Sequence, residues 1–419
     1  MQRTFTSRTR RLEPYAAFAL SFVSVIGTLA VLAVPLGAVA TGGGSNAHPY
    51  FAHASIVPFA SPTCSTTSLC TSTVLAAYQF GPLLVNSTMN GTGQSIAIVD
   101  ACGDSNIVTD VATFDTAMGL PAINLSIFQP QGTPCSDPTG WGVETALDVE
   151  WAHAMAPGAT INLIEAASAS TGSLYGAWNY TLVNHLGNSI SNSWGGNGAC
   201  PTVARGLLAT AAHQHVTVLA SGGDSGRWGS GTHFAIQQPA DCQNVLTIGG
   251  TSLHVANVSG AYTSESAWSG GGGGYVKGAA EPAYQKTANI TDSFTVLGKP
   301  DVSAVADPGT GVWIFDKSAG GWFVVGGTSV SCPIWAGFVA DVNSWRSANA
   351  FGALGTVNPF LYLSVYGANH GSANYSVTVH DVTTGSNGWS AGTGWDAATG
   401  IGSFKAYPLA TLLANSPKA

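Results

Sequence analysis

The chain has 419 residues, of which 45% are hydrophobic and only 8% are charged, against about 25% in ordinary soluble proteins. Beyond residue 40 nine basic and twenty acidic residues remain, a net charge of −11. This balance argues against nucleic acid as a partner, because phosphate binding needs clustered lysine and arginine. So few ionisable groups also predict a protein that tolerates acid, since acid unfolds proteins largely by protonating paired carboxylates.

The first forty residues have the pattern of an export signal. Four arginines precede an apolar run at residues 15–40, which ends in Ala38-Val39-Ala40 as a secretory signal does. The run is also long enough to span a bilayer, so a membrane tether through residues 15–40 is the alternative. Either form predicts an extracellular location, secreted or anchored to the outer face of the cell membrane. Residues 41–72 are of low complexity, and we interpret them as a linker.

From residue 73 strand-like and helix-like patterns alternate. Strands are predicted at "QSIAIVD", "TINLIEAA", "SISNSWGG" and "VTVLAS", with helices of ten to fifteen residues between them. This alternation predicts an α/β fold with a mostly parallel central sheet flanked by helices, in one domain over residues 73–415. Ligands of such a sheet bind beyond the carboxyl ends of its strands.

Seven cysteines are compatible with disulfides in an exported chain. Cys64 and Cys70 flank a short loop and could pair, and Cys102–Cys135 and Cys200–Cys242 are further candidates. The sequence alone leaves the connectivity open. Cys332 would be left over, and we interpret it as a small buried residue inside a helix rather than a catalytic thiol.

A candidate nucleophile lies in "GGTSVSCP" (326–333), where Ser329 follows a glycine-rich bend at the start of a predicted helix. A serine hydroxyl is a poor nucleophile until a neighbouring base takes its proton. None of the ten histidines has the sequence context of a catalytic base. His153 lies in an alanine-rich helical pattern, which favours a half-buried helix residue.

The segment "VETALD" offers carboxylates as the base. Glu144 and Asp148 are four residues apart, so on a helix both point from the same face. Two acids this close share a proton, and such a pair can accept the serine proton in acid, where a histidine would already be charged. A solvated acidic stripe on a surface helix is the other interpretation.

Asp224, in "LASGGDSG", follows a predicted strand. Aspartate is common in turns, which is the simpler explanation. A protonated carboxyl group could also donate a hydrogen bond to the oxyanion formed when Ser329 attacks a carbonyl.

Taken in order, "GVETALD", "SGGDSG" and "GGTSVSCP" resemble the sedolisin family of serine-carboxyl peptidases, which have a subtilisin-like fold and act in acid. The resemblance implies that Glu144 is the base, Asp148 the acid that orients it, Asp224 the oxyanion donor and Ser329 the nucleophile. "SNSWGG" resembles the strand that lines the substrate in this family. It implies that Ser193, Trp194 and Gly195 bind substrate.

The resemblance also implies one calcium ion near the C-terminus. Asp381 and Asp396 flank a glycine-rich loop in "HDVTTGSNGWSAGTGWDAATG", and calcium prefers oxygen ligands. The implied ligands are the side chains of Asp381 and Asp396 and the backbone carbonyls of Val382, Gly392 and Gly394. Without the resemblance, a surface loop with two turn aspartates is favoured.

The sequence therefore predicts an exported, monomeric, acid-active serine-carboxyl endopeptidase that hydrolyses protein or peptide substrates through a serine acyl-enzyme. Sedolisins are usually made with a long N-terminal prodomain. Here only residues 41–72 separate the apolar run from the catalytic region, so we expect a chain that lacks it. Two alternatives stay open: a subtilisin-type enzyme with a histidine base, and a non-enzymatic surface or binding protein on the same fold.

Overall fold

The computed structural model describes residues 45–53, 60–85, 88–137, 140–228, 237–290 and 295–416. The apolar run at residues 15–40, with its predicted signal or tether, lies outside these ranges. Within them, no helix combines the length and the apolar character needed to cross a membrane.

The described strands are β1 His48–Pro49, β2 Ala52–His53, β3 Ser68–Leu69, β4 Ser95–Ala101, β5 Asn124–Phe128, β6 Thr160–Ala166, β7 Ser189–Ser191, β8 Trp194–Asn197, β9 Thr217–Ser221, β10 Gln237–Gln238, β11 Leu246–Val255, β12 Tyr262–Ala267, β13 Gly274–Ala280, β14 Val296–Lys299, β15 Val302–Val305, β16 Gly311–Asp316, β17 Gly321–Gly326, β18 Val379–His380 and β19 Ser403–Phe404. The described α-helices are α1 Thr71–Ala77, α2 Gly81–Leu84, α3 Ile107–Met118, α4 Trp141–Met155, α5 Thr171–Val183, α6 Thr202–His213, α7 Ala283–Ala288, α8 Thr328–Ala348, α9 Asn358–Phe360, α10 Tyr375–Thr378 and α11 Ala406–Ala414.

The largest sheet has the strand order β5-β6-β4-β7-β9-β11-β15-β19-β18, and β12 also pairs with β11. Its neighbouring strands are parallel from β5 to β19, and only β18 and β12 pair antiparallel. Parallel neighbours need crossover connections, which the intervening helices supply. The prediction of an α/β fold with a mostly parallel, helix-flanked central sheet is confirmed.

The sheet separates two apolar cores. On β4, Ile96 and Ile98 belong to one core and Ala97 and Val99 to the other, as the alternation of side chains along a strand requires. The first core contains α4 and α8, and the second contains α5 and α6. All fifteen residues of α4 are buried, so polar groups on this helix have no access to solvent.

Three local features differ from the sequence prediction. "SISNSWGG" is two strands, because β7 pairs within the largest sheet whereas β8 pairs with β1 and β10. The strand β5 was not predicted. Helix α8 begins at Thr328 and continues through Pro333; residues 328–344 are all buried, so tertiary packing outweighs the proline.

Part of the predicted linker is folded onto the domain. Residues 45–53 contribute β1, which pairs with β8, and β2, which pairs with β17. The strand β3 pairs with β16 beside the first disulfide. The disulfides join the three candidate pairs, Cys64–Cys70, Cys102–Cys135 and Cys200–Cys242. Cys332 is free and buried.

Candidate active site

Ser329 is the second residue of α8, just after the bend that ends β17. Gly327 in this bend has a left-handed φ of 110°, and a Cβ there would collide with the Asp224 carboxylate, so glycine is required. The Ser329 side chain is fully buried, and its hydroxyl donates to the Ser193 carbonyl (3.2 Å). Its backbone N–H donates to the carbonyl of Tyr50 (3.0 Å).

Glu144 and Asp148 lie one turn apart on α4, and neither is accessible to solvent. This burial excludes the solvated acidic stripe. The Ser193 hydroxyl donates to Asp148 (2.7 Å), whereas neither Glu144 oxygen has a hydrogen-bond partner among the described residues. Glu144 is therefore a buried carboxyl group with unused acceptor capacity.

Burial raises the pKa of Glu144 well above its usual value, and the charges of Asp148 and Asp100 raise it further. The adjacent Ser329 hydroxyl opposes this rise. Burial and then Asp100 also raise the pKa of Asp148, against the Ser193 hydrogen bond. Acids crowded together in this way retain protons and titrate as a group, so one member can be ionised while another stays protonated.

Asp100 is a third acid of this group that the sequence analysis missed. It lies near the C-terminal end of β4 in register with Glu165 on β6. It is fully buried, and neither oxygen has a partner within the described ranges. Burial and then Glu165 raise its pKa to about 8. Its place at the end of the apolar segment "QSIAIVD", a predicted buried strand, is the sequence signal that could have identified it.

Asp224 lies beside the start of α8. Its Oδ1 accepts from the backbone N–H and the hydroxyl of Thr328 (both 2.8 Å). Its Oδ2 is buried without a partner in the described part of the chain and points to the space beside Gly327. Burial raises its pKa to about 7, so below that pH it is protonated and can donate.

No hydrogen bond between described residues joins Ser329 to a histidine. His153 is fully buried rather than half-buried, because α4 is enclosed on all sides. Its Nε2 contacts the Pro121 carbonyl (2.8 Å) and lies 3.4 Å from Asp115. It therefore has its own partners.

Of the predicted substrate-binding residues, Ser193 lies beside Ser329, whose hydroxyl donates to the Ser193 carbonyl (3.2 Å), and Trp194 and Gly195 follow it in the chain. The indole of Trp194 points away into the second core and donates to the Val99 carbonyl (3.0 Å). The Trp194 side chain is therefore not beside Ser329, and both backbone edges of β8 are paired, one with β1 and the other with β10.

The two predicted calcium carboxylates converge on one loop. The Gly394 N–H donates to both oxygens of Asp381 (3.1 Å each), and the Gly392 N–H donates to Asp396 (3.0 Å). Neither carboxylate has a salt bridge within the described residues. The two carboxylates contact the same glycine-rich loop and are oxygen donors of the kind that calcium prefers.

Comparison with known proteins identifies the family. The model of the subtilase family matches residues 136–354, just over half of the chain, and this span contains Glu144, Asp148, Asp224 and Ser329. Kumamolisin of Bacillus sp. (strain MN-32) is 33% identical over 362 residues, 79% of this chain. This chain belongs to the subtilase family, on its sedolisin branch.

Two further comparisons agree with this placement in the family. Sedolisin of Pseudomonas sp. (strain 101) is 30% identical over 365 residues, 78% of this chain. A solved structure of Pseudomonas sedolisin, a serine-carboxyl proteinase complexed with two molecules of pseudo-iodotyrostatin, superposes with a TM-score of 0.70 at 26% identity, over 83% of this chain and 98% of that one. The chain spans 61% of kumamolisin and 59% of sedolisin, about three fifths of these curated relatives.

Proposed function

We propose that this chain is an exported, acid-active serine-carboxyl peptidase that hydrolyses peptide bonds in proteins or peptides. The observation that carries the proposal is that a candidate nucleophile, a candidate base and candidate oxyanion donors lie side by side. Ser329 lies against a buried carboxyl group, and its backbone N–H already binds a peptide carbonyl. The Oδ2 of Asp224 points to the same place.

In the proposed reaction the Ser329 hydroxyl turns from the Ser193 carbonyl towards Glu144 and passes its proton to that carboxylate. Asp148, which is held by the hydrogen bond from the Ser193 hydroxyl, orients Glu144 and shares a proton with it. The serine oxygen attacks the peptide carbonyl, and the Ser329 N–H and protonated Asp224 stabilise the oxyanion. The protonated acid then donates to the leaving amine, and water releases the acyl group by the reverse sequence.

Calcium is part of the proposal. The side chains of Asp381 and Asp396 and the carbonyls of Val382, Gly392 and Gly394 would hold one ion. When bound, calcium would supply an electrostatic cross-link between the two ends of the loop. Its role is structural.

Export is proposed from the N-terminal arginines followed by the apolar run, and from three disulfides, which persist in oxidising compartments. Cleavage of a signal after Ala40 would leave a mature N-terminus at Thr41, which N-terminal sequencing of the secreted protein would detect.

The decisive experiment is a pH–activity profile of the full chain, with calcium, on a denatured protein substrate, beside Ser329→Ala. We expect activity that peaks at about pH 3–4 and is absent in the variant. Activity that rises towards neutral pH and survives Glu144→Ala would instead indicate a histidine base.

A further inference from the structure

Asp224 lies in a loop that packs against two other segments. This loop, here called the Asp224 loop, is residues 222–228, directly after β9. The second segment is a glycine strip at residues 270–274, and the third is the C-terminal loop at residues 385–397. Hydrogen bonds join all three, so the position of the Asp224 carboxyl group depends on segments that are distant in sequence.

The glycine strip lies directly against the Asp224 loop. The Gly226 N–H donates to the Gly270 carbonyl (2.8 Å). A Cβ on Gly272 would lie 1.9 Å from the Gly222 carbonyl oxygen, so the two backbones are closer together than any residue with a side chain would allow. Because the strip has no side chains, it holds the Asp224 loop through backbone contacts.

Asn387 of the C-terminal loop contacts both other segments. It is 4% exposed. Its Nδ2 donates to the Gly271 carbonyl (2.8 Å), and its backbone carbonyl accepts from the Arg227 N–H (2.8 Å). Its Oδ1 accepts from the Trp389 N–H (2.9 Å), so both polar ends of the amide have partners. Such an amide fixes the segments it joins, because breaking a bond would leave a buried polar group without a partner.

The Arg227 side chain makes a second connection between the same loops. Its guanidinium group donates to the Gly388 carbonyl (3.2 Å) and lies 5.6 Å from the centre of the Trp389 ring. Gly388 has a left-handed φ of 107°, and a Cβ there would lie 2.7 Å from the Arg227 side chain. Arg227 is three residues beyond Asp224, so a shift of the C-terminal loop would move the backbone that carries this carboxyl group.

We propose that Asn387 is a positioning residue for the peptidase reaction, which holds the Asp224 loop so that the Asp224 carboxyl group stays beside the start of α8. The inference rests on the proposed function of Asp224 as an oxyanion donor. Such a donor must be held within about 0.5 Å of its productive position. Thr328 fixes the carboxyl group itself through two hydrogen bonds to Oδ1, and Asn387 fixes the backbone behind it.

A double-mutant cycle tests whether Asn387 acts through Asp224. The wild type, Asn387→Ala, Asp224→Ala and the double variant are compared on an external peptide at pH 4 with saturating calcium. We expect Asn387→Ala to lower kcat at least about tenfold and to change KM less than about twofold, because the oxyanion forms only in the transition state. In the Asp224→Ala background the same substitution should lower kcat less than about twofold, since the group that it positions is absent. Equal losses in both backgrounds would overturn the inference.

Asn358→Ala is the matched control for the loss of a buried amide. Asn358 is 1% exposed, and its Nδ2 donates to the Val245 carbonyl (3.1 Å). Val245 precedes β11 whereas Asp224 follows the parallel strand β9, so this contact lies at the opposite edge of the sheet. We expect both variants to lower the Tm and only Asn387→Ala to lower kcat. A similar loss of kcat in both would show that Asn387 only supports the fold.

Hydrogen exchange follows the Asp224 loop without a substrate. We expect faster exchange over residues 222–228 in Asn387→Ala, and unchanged exchange there in Asn358→Ala. Arg227→Met removes the guanidinium contacts of a partly exposed side chain, so it should fold even if Asn387→Ala does not, and it should also lower kcat. Unchanged kcat and exchange in these variants, beside an active wild type, would overturn the inference and leave the peptidase function standing. A wild type that cuts no peptide would refute both.

Discussion

Ser329, Glu144 and Asp148 lie in the interior with no lysine or arginine in contact with them among the described residues. The carboxyl groups of Glu144 and Asp148 stay uncharged more readily than exposed carboxyl groups, because burial penalises the ionised form. A base built from them works only where one proton has been lost from the group and another remains. Because burial raises the pKa values of these acids, that window lies above the ordinary carboxylate range, so the family placement and not these shifts supports the proposed acid optimum.

Substitution of Glu144 tests the base. Glu144→Gln keeps the shape but cannot accept the serine proton, so we expect turnover to fall about 10⁴-fold or more with the fold intact. Glu150→Gln is the matched control, since Glu150 is equally buried on the same helix and its Oε2 accepts from the Phe315 N–H (3.1 Å). Steady-state kinetics and circular dichroism would decide; an equal loss in both variants would contradict the assignment.

Asp224 sets a pH limit of its own. Below its pKa of about 7 it can donate to the oxyanion, and above it the carboxylate would repel that charge. Asp224→Asn keeps a donor at every pH, and its Oδ1 can still accept from Thr328. We expect the variant to lose a smaller fraction of its activity than the wild type between pH 6 and pH 8. Parallel pH profiles would show that Asp224 does not act on the oxyanion.

At the level of elements, the site is built where α4, α8 and the ends of the strands meet. Helix α4 carries the acids, α8 carries the nucleophile, and Ser193, just before β8, contacts both Asp148 and Ser329. The two helices pack against each other in the first core. Small shifts of either helix would therefore change the distance between base and nucleophile, and rigid support of these helices matters for activity.

We expect removal of the proposed calcium ion to destabilise the loop between Asp381 and Asp396. Calcium binding to the native state alone would raise the free energy of unfolding by about 2.7 kcal/mol at a concentration one hundred times its Kd. We expect a chelator to lower the Tm of the wild type and to leave Asp396→Asn almost unaffected. Magnesium is the matched control ion, because it prefers a smaller octahedral site. A Tm that does not respond to calcium would contradict the site.

For the whole molecule, the unusual feature is the number of buried acids with raised pKa values. Burial raises the pKa of Asp110, Asp241 and Asp316 to about 6 each. Each of these groups binds a proton more tightly in the folded chain than in the unfolded one. Its stabilising contribution is complete below the unfolded value of about 4 and is lost as the pH rises through the folded value.

We therefore expect stability to fall as the pH rises from about 4 to 8, opposite to common acid denaturation. The urea midpoint at each pH measures this. Asp341→Asn should flatten the profile, because burial alone raises the pKa of Asp341 and neither oxygen has a partner in the described ranges. Glu281→Gln, which neutralises a partly exposed carboxyl group, is the control. Unfolding at pH 3 with full stability at pH 8 would refute both this prediction and the acid tolerance predicted from composition.

The fold class and the order of the motifs follow from the amino-acid sequence. Alternating apolar strands and helices can satisfy their buried faces only in a helix-covered parallel sheet, and "GVETALD", "SGGDSG" and "GGTSVSCP" identify the family by local chemistry. The spacing of Glu144 and Asp148 placed them on one helical face, because helical geometry depends on neighbours along the chain.

The surroundings of these residues depend on contacts between parts of the chain that are distant in sequence. Spacing cannot tell a wet helical face from a buried one, and α4 is buried because α8 and the sheet, distant in sequence, cover it. Asp100 joins the acid group because β4 packs against α4, and part of the segment interpreted as a linker pairs with β8 and β17. Burial and pairing across long separations are properties of the folded whole, and they give the local motifs their chemistry.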